Sequence, residues 1–390
     1  MIQFTSLPPL SLYIHFPWCV KKCPYCDFNS HQQKSDFDEQ AYIDCLLHDV
    51  ELALPNIWGR SIHSVFMGGG TPSLFSPQAM DRLLAQLRSL LTIHPQVEIT
   101  MEANPGTFDF GKNTEKFKEF RSAGINRLSI GVQSFNNEHL QVLGRVHDKT
   151  QALIAIETAQ QAEFNSINVD LMYGLPQQSI KQALDDVQIA VDTQVAHISH
   201  YQLTIEPNTL FYSAAPALPN DDDSWQMQEM CQAILAKYNY KHYEISAYSR
   251  SKQQCTHNLN YWNFGDYLGI GAGAHSKISN AQFQTINREW RVKNPREYME
   301  KVAQGLHIAG SSSLTRNDIG LEFIMNALRL TDGFDIETFN RHTGCQINLI
   351  DKPLNEAEHK KWITRDIKKI QTTDIGKRYL NDVMALFVPD

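Results

Sequence analysis

A chain of 390 residues is long enough to bury a large core and to hold two domains. Its 43 acidic and 35 basic residues give a formal net charge of −8, which excludes the broad basic footprint of a general nucleic-acid binder. No apolar run reaches bilayer-spanning length, and Met1-Ile2-Gln3-Phe4-Thr5 lacks the basic-then-apolar pattern of a secretory leader, so a cytoplasmic protein with no integral membrane segment is expected.

From Ser11 to Leu203 the sequence alternates short apolar runs with helical periodicity. Strands are predicted at Ser11–Phe16, Ile62–Met67, Val97–Met101, Arg127–Gly131, Ser166–Met172 and His197–Leu203. Helices are predicted between them at Asp36–Leu54, Pro77–Leu91, Thr114–Ala123, Thr150–Ala162 and Ile180–Asp192. Alternation of this kind specifies right-handed βαβ units and a parallel sheet. Six units are too few for a closed eight-stranded barrel, so the fold class is α/β, a partial (β/α)6 barrel or an open sheet.

Pro216, Pro219 and the acidic run Asp221-Asp222-Asp223 are read as a solvated loop and a boundary, giving domains 1–220 and 221–390. Beyond it come a helix at Ser224–Tyr238 and a strand at Tyr243–Ala247. Helices at Gly320–Arg329 and Glu356–Asp366 and a hairpin-like end at Ile370–Val388 make the second domain a smaller, mostly helical α+β unit. Helices followed by a hairpin suggest a winged-helix unit for packing or partner binding.

The chemistry-bearing residues fall after the strands, where parallel sheets bind ligands. Cys19, Cys23 and Cys26 follow the first strand as C-x3-C-x2-C. Three thiolates leave one iron of a [4Fe–4S] cube open to a further ligand. Zinc with His15 or His31 as a fourth ligand is the alternative, although no second half of a zinc motif follows. Cys45, Cys231, Cys255 and Cys345 are scattered and read as small apolar residues. Gly68-Gly69-Gly70-Thr71-Pro72 follows the second strand, Glu102-Ala103-Asn104-Pro105 the third, Gly131-Val132-Gln133-Ser134-Phe135 the fourth, and Asp170 to Pro176 spans the end of the fifth. Glycine backbone can hold a carboxylate or amine, and Glu102, Gln133 and Asp170 suit ribose hydroxyls. Arg145 can fork onto a carboxylate, and the Tyr25 ring can face an adenine. A nucleoside with an amino-acid tail, such as S-adenosylmethionine, satisfies all of these groups.

The cysteine run, with an aromatic before its last cysteine, resembles the radical S-adenosylmethionine superfamily. Tyr13 to Cys19, Gly68 to Pro72, Gly131 to Phe135 and Asp170 to Pro176 look like its branch of oxygen-independent coproporphyrinogen III oxidases and haem chaperones. The resemblance implies Cys19, Cys23 and Cys26 as cluster ligands, and Tyr13, Gly70, Thr71, Glu102, Gln133, Arg145 and Asp170 as cofactor contacts. It also implies reductive cleavage of the sulfonium to a 5′-deoxyadenosyl radical, as that branch performs it.

Two departures favour the chaperone type. The oxidases carry a further cysteine where Phe28 stands here, and a long arm ahead of the cluster where only eighteen residues precede Cys19. His257-Asn258-Leu259-Asn260-Tyr261-Trp262 resembles the HNxxYW motif associated with haem binding in those chaperones, making His257 a candidate axial ligand and Tyr261 and Trp262 candidate porphyrin contacts. The glycine run Gly269 to Ser276 lacks the following helix of a dinucleotide site. The expected cofactors are a [4Fe–4S] cluster, S-adenosylmethionine and haem. The expected partners are haem-accepting proteins such as respiratory haem enzymes, an electron donor for the cluster, and a second copy of the chain. Oxidative decarboxylation of coproporphyrinogen III propionates remains open as the enzymatic alternative.

Overall fold

The computed structural model describes residues 2–33, 37–107 and 113–388. Their element order begins β1 (Leu10–Phe16), β2 (Trp18–Cys19), β3 (His31–Gln32), α1 (Glu39–Ile57), β4 (Ser61–Gly69), α2 (Pro77–Leu90), β5 (Thr92–Ala103), α3 (Asn113–Ala123) and β6 (Arg127–Gln133). It continues with α4 (Asn137–Val142), α5 (Lys149–Gln161), β7 (Ser166–Tyr173), α6 (Ile180–Asp192), β8 (His197–Gln202) and α7 (Leu210–Ser213). The expected start of the first helix at Asp36 lies outside the described residues; Asp38 caps α1 by accepting from the Ala41 N–H. Ser179 with Gln182, and Asp148 with Gln151, form capping boxes that start α6 and α5 where the sequence changes to a helical period.

β1, β4, β5, β6, β7 and β8 pair in parallel in that spatial order, the architecture of a six-unit partial barrel. Both faces of these strands are covered, so they read as near-continuous apolar runs. The main core joins the strands to the inner faces of α1, α2, α5 and α6.

After residue 220 come α8 (Asp221–Lys237), β9 (Lys241–Glu244), β10 (Ala247–Ser249), α9 (Thr256–Trp262), β11 (Asp266–Ile270), β12 (His275–Asn280), β13 (Thr285–Arg291), α10 (Pro295–Val302) and β14 (Ile308–Ser313). Here the fold departs from expectation. The acidic run is not a loop: Asn220 caps α8, and Asp221, Asp222 and Asp223 form its first turn, where their charge favours the positive end of the helix dipole. β9 to β14 join the same twelve-stranded sheet, β11 in parallel beside β1 and the rest antiparallel at the two edges. A cut at 220/221 therefore divides one sheet. The glycine run forms the β11–β12 turn, with Gly271 and Gly273 at φ +97° and +78°, and no helix follows it directly.

The chain ends with α11 (Arg316–Ala327), β15 (Phe334–Asp335), α12 (Ile336–Thr343), α13 (Asp351–His359), β16 (Ile363–Arg365), β17 (Lys369–Thr372), α14 (Asp374–Arg378) and α15 (Leu380–Ala385). This segment has its own apolar core around Phe323, Phe334, Phe339 and Ile370, reached by Phe4, Phe264 and Ile286. The hairpin is β16–β17: β16 takes the end of the span expected to continue as helix to Asp366, and β17 the start of the expected hairpin-like end. The last turns are helical rather than a hairpin.

Candidate cofactor site at the strand carboxyl ends

The strand ends open into a cavity of about 470 Å³ lined by ten of the twelve expected site residues: Cys19, Cys23, Tyr25, Cys26, Gly70, Thr71, Glu102, Gln133, Arg145 and Asp170. The cysteine loop is tied down on several sides. The Gly70 and Thr71 N–H groups donate to the Phe16 and Trp18 carbonyls at 2.6 and 2.7 Å. A Cβ at Gly70 would lie 2.6 Å from both of those oxygens, so only glycine permits this approach. Asn29 donates to the Ala272 and Lys293 carbonyls at 2.9 Å each, fastening the loop to the β11–β12 turn and the segment after β13.

His15 is committed to this scaffold. Burial holds its imidazole neutral, with a pKa of about 4. Its Nε2–H then donates to the Asn29 carbonyl at 2.9 Å, and its Nδ1 accepts from the Tyr13 hydroxyl at 3.0 Å. Tyr13 does not line the cavity and touches the site through His15. His31 lies 3.3 Å from the Asn29 side-chain oxygen. Among the described residues no group of three or more His, Cys, Asp or Glu is placed to hold a single metal ion. The three thiols instead flank a cavity, and all are free. Burial raises Cys19 to about 11, partly offset by the Thr71 hydroxyl. Cluster loading would therefore have to displace that proton.

The opposite wall is acidic. Glu102 accepts the Gly69 N–H at 3.0 Å, and Asp170 accepts from the Ser129 hydroxyl at 3.0 Å and the Asn168 amide at 2.8 Å. Burial, with Asp170 nearby, raises the Glu102 carboxyl to about 8; burial also raises Asp170 despite its donors. In the ligand-free protein Glu102 thus holds a proton that the unfolded chain releases near 4.5. The folded state binds more protons between those values, so stability is expected to fall as pH rises from about 4.5 to about 8. Urea midpoints measured across that range should lose part of this slope in Glu102→Gln; parallel curves for the two proteins would contradict the assignment.

Gln133 sits at φ +72° where β6 bulges against β7, and the Tyr201 hydroxyl donates to its Oε1 at 2.7 Å. Arg145 donates to the Gly131 carbonyl at 2.6 Å and reaches the Cys23 sulfur at 3.5 Å, while its buried Nε has no partner. The donor set fits the cluster and cofactor: three free thiols, a guanidinium with unused capacity and two carboxyls that a cation would help ionise. Ser129, Asn168, Ser199 and Tyr201 escaped the sequence reading. Their signal was the run of polar residues inside otherwise apolar β6, β7 and β8.

His257 lies elsewhere. It is buried at the floor, with Nδ1 3.0 Å from the Ser64 hydroxyl and Nε2 unpartnered, and burial lowers its pKa to about 3. Asn260 donates to the Ser11 hydroxyl and the Asp266 carbonyl at 2.8 and 2.9 Å, so α9 closes the end opposite the cysteines. The expected porphyrin faces are occupied: Tyr261 stacks on Tyr267 at 4.3 Å, and the Arg329 guanidinium lies 4.2 Å from the Trp262 ring. Among the described residues no helix is long and apolar enough to cross a membrane.

A three-cysteine loop at the carboxyl ends of a six-unit partial barrel defines a radical S-adenosylmethionine scaffold. The Radical SAM superfamily profile matches residues 13–189, and the HemN C-terminal domain profile matches residues 314–379. The fold is that of coproporphyrinogen III oxidase (HemN) from Escherichia coli, with TM-score 0.81 and 23% identity over 98% of this chain and 90% of that one. The chain is 44% identical to haem chaperone HemW of Haemophilus influenzae over 99% of both chains. It is 43% identical to that of Escherichia coli K12 over 99% of this chain and 100% of the relative. The chain belongs to the HemW family of radical S-adenosylmethionine proteins.

Proposed function

We propose that this protein is a haem chaperone that binds haem and passes it to acceptor haem proteins in the cytoplasm, respiratory enzymes among them. The observation that carries the reading is full-length identity above 40% to proteins named for that role. Likeness to the oxidase is one of fold, at 23% identity. Cys19, Cys23 and Cys26 would hold the cluster beside the residues that would take S-adenosylmethionine, and a partner would serve as its electron donor. Gly70, Thr71, Gln133 and Arg145 would orient the methionyl group and ribose, Glu102 and Asp170 would face the cationic end, and Tyr25 the base. Tyr13 would act through His15. The chemistry that such a cluster would supply, when bound, is one-electron reduction of the sulfonium. For His257 to reach haem iron, α9 must leave Ser11, Ser64 and Asp266. Association with a second copy belongs to the same reading.

The test offers coproporphyrinogen III and, separately, haem to anaerobically reconstituted protein. Haem uptake without decarboxylation is expected. Formation of protoporphyrinogen would overturn the reading in favour of the oxidase.

A further inference from the structure

Among the described residues, three Lys or Arg side chains are buried: Arg127, Lys277 and Arg291. Two of them sit on carboxylates, Lys277 on Asp266 at 2.9 Å and Arg291 on Asp49 at 3.1 Å. Arg127 has no such partner among the described residues. It is 3% exposed, and its Nη1 donates to the Ser166 hydroxyl at 2.7 Å and the Gln253 carbonyl at 3.2 Å, both neutral groups. Asp170 feels its charge without forming an ion pair with it. A buried charge is ordinarily paired, so Arg127 calls for a counter-charge from outside the chain.

Its place in the fold indicates which anion. Arg127 begins β6 and Gln133 ends it, so the guanidinium lies at the floor of the cofactor cavity, at the far end from the thiols. Parallel register sets Thr100 beside Arg127 and Asn168 beside His197, and all four line the cavity. Glu102 and Asp170 come two residues further along β5 and β7, about 7 Å higher by strand rise, in the tier assigned to S-adenosylmethionine. Thr100 is fully buried, and its hydroxyl has no hydrogen-bond partner. His197 spends both ring nitrogens on Asn168 and Tyr243. The floor therefore offers the Thr100 hydroxyl and the remaining N–H groups of Arg127, with Asn258 of α9 closing the same space. A planar fork of N–H donors beside a hydroxyl suits the two oxygens of a carboxylate. The methionyl carboxylate of S-adenosylmethionine is not that group, because its place is at the thiols beside Arg145, which reaches Cys23 at 3.5 Å.

We infer that the floor of the cofactor cavity is a carboxylate site, with Arg127 as the pairing cation and Thr100 as a second donor. Two sources carry that group. A free short-chain carboxylate fits while α9 is shut. A haem propionate is the other source, and this one rests on the haem-chaperone reading. Arg127 is tied to Gln253, just ahead of α9, so the movement that frees His257 also uncovers Arg127.

Two titrations of the full-length, cluster-loaded protein test the site and separate its sources. In the first, sodium propionate replaces sodium chloride at fixed ionic strength. The melting temperature of the wild type should rise, and the rise should vanish in Arg127→Met and shrink in Thr100→Val. In the second, Soret titration compares haem with haem dimethyl ester, which lacks free carboxylates. Arg127→Met should weaken haem by about tenfold, the loss of one charge-assisted hydrogen bond, and leave the ester unchanged. Either response, when lost with Arg127, supports the site and identifies its source. Thr100→Val removes only a hydroxyl that no protein group engages, so it decides the matter where Arg127→Met fails to fold. Variants that match the wild type in both titrations would overturn the site. No haem uptake by the wild type, with the propionate response intact, would overturn the chaperone reading and leave the site standing.

Discussion

Asp49→Ala is expected to destabilise the protein by about 3–5 kcal/mol, the usual cost of leaving a buried charge without its partner. Asp49 projects from α1 and is fully buried. Its carboxylate accepts from Arg291 at 3.1 Å, from the Tyr298 hydroxyl at 2.8 Å and from the Gly271 N–H at 3.1 Å, with His307 Nε2 at 3.0 Å. These partners come from β13, α10, the β11–β12 turn and the segment before β14, so one carboxylate ties the antiparallel edge to the barrel. Removing it leaves the guanidinium of Arg291 buried, with Glu289 at 3.7 Å and the Ser276 hydroxyl at 2.9 Å as its remaining contacts. Arg291, aided by His307, holds the Asp49 carboxyl below its usual value although burial opposes this. That stabilisation is present above the ordinary carboxylate range and is lost as pH falls through the lowered value. Denaturant midpoints at neutral pH check the magnitude. Asp49→Ala/Arg291→Met should recover much of the loss, because no unpaired charge remains. A loss below about 1 kcal/mol in the single variant would show that water or another acid replaces the carboxylate.

Much of the barrel was legible because its strands are short, mostly apolar runs that alternate with helical periods and end in polar residues. α6 was placed at Ile180–Asp192, as found, since a capping box and a 3.6-residue period agree there. The cysteine loop, Gly70 and the Glu102, Gln133 and Asp170 positions were readable for the same reason: chemistry follows the strand. The antiparallel extension was not. β12 and β13 carry Ser276, Lys277, Arg288 and Arg291 among their residues. Their burial depends on Asp266, on the preceding strand, and on Asp49, distant in sequence, which pair with Lys277 at 2.9 Å and Arg291 at 3.1 Å. Such strands look like polar loops until the partner is known. α8 shows the reverse error, since three acids suggest solvent only if the cap at Asn220 is overlooked. The orientation of α9 was also beyond the sequence. Nothing in a His-Asn-x-x-Tyr-Trp string says that Ser64 and Ser11 will draw His257 and Asn260 inward.

Replacing any one of Cys19, Cys23 and Cys26 by alanine is expected to remove nearly all cluster iron, which should stand at about four per chain in wild type. Among the described residues, His15 and the four other cysteines offer the cube no replacement ligand. His15 has both ring nitrogens occupied, by Tyr13 and Asn29, and of the other cysteines Cys45 and Cys231 are packed at the main core while Cys345 lies in the second. Cys255 lines the cavity, but its sulfur sits 3.5 Å from Glu98 on the floor beside α9, and burial with that acid raises its thiol to about 12. Alanine at Cys45, Cys231 or Cys345 should therefore leave iron and sulfide unchanged, as should Cys255→Ala. Anaerobic iron and sulfide assays with an electron paramagnetic resonance spectrum of the reduced protein make the measurement. Arg145→Met separates holding the cluster from presenting it. Its guanidinium reaches Cys23 at 3.5 Å and is anchored on the Gly131 carbonyl, so it touches both the loop and the bulged end of β6. Iron should persist in that variant while S-adenosylmethionine affinity drops. Full iron in a Cys19, Cys23 or Cys26 variant would mean that a fourth protein ligand completes the site, leaving no open iron for the cofactor.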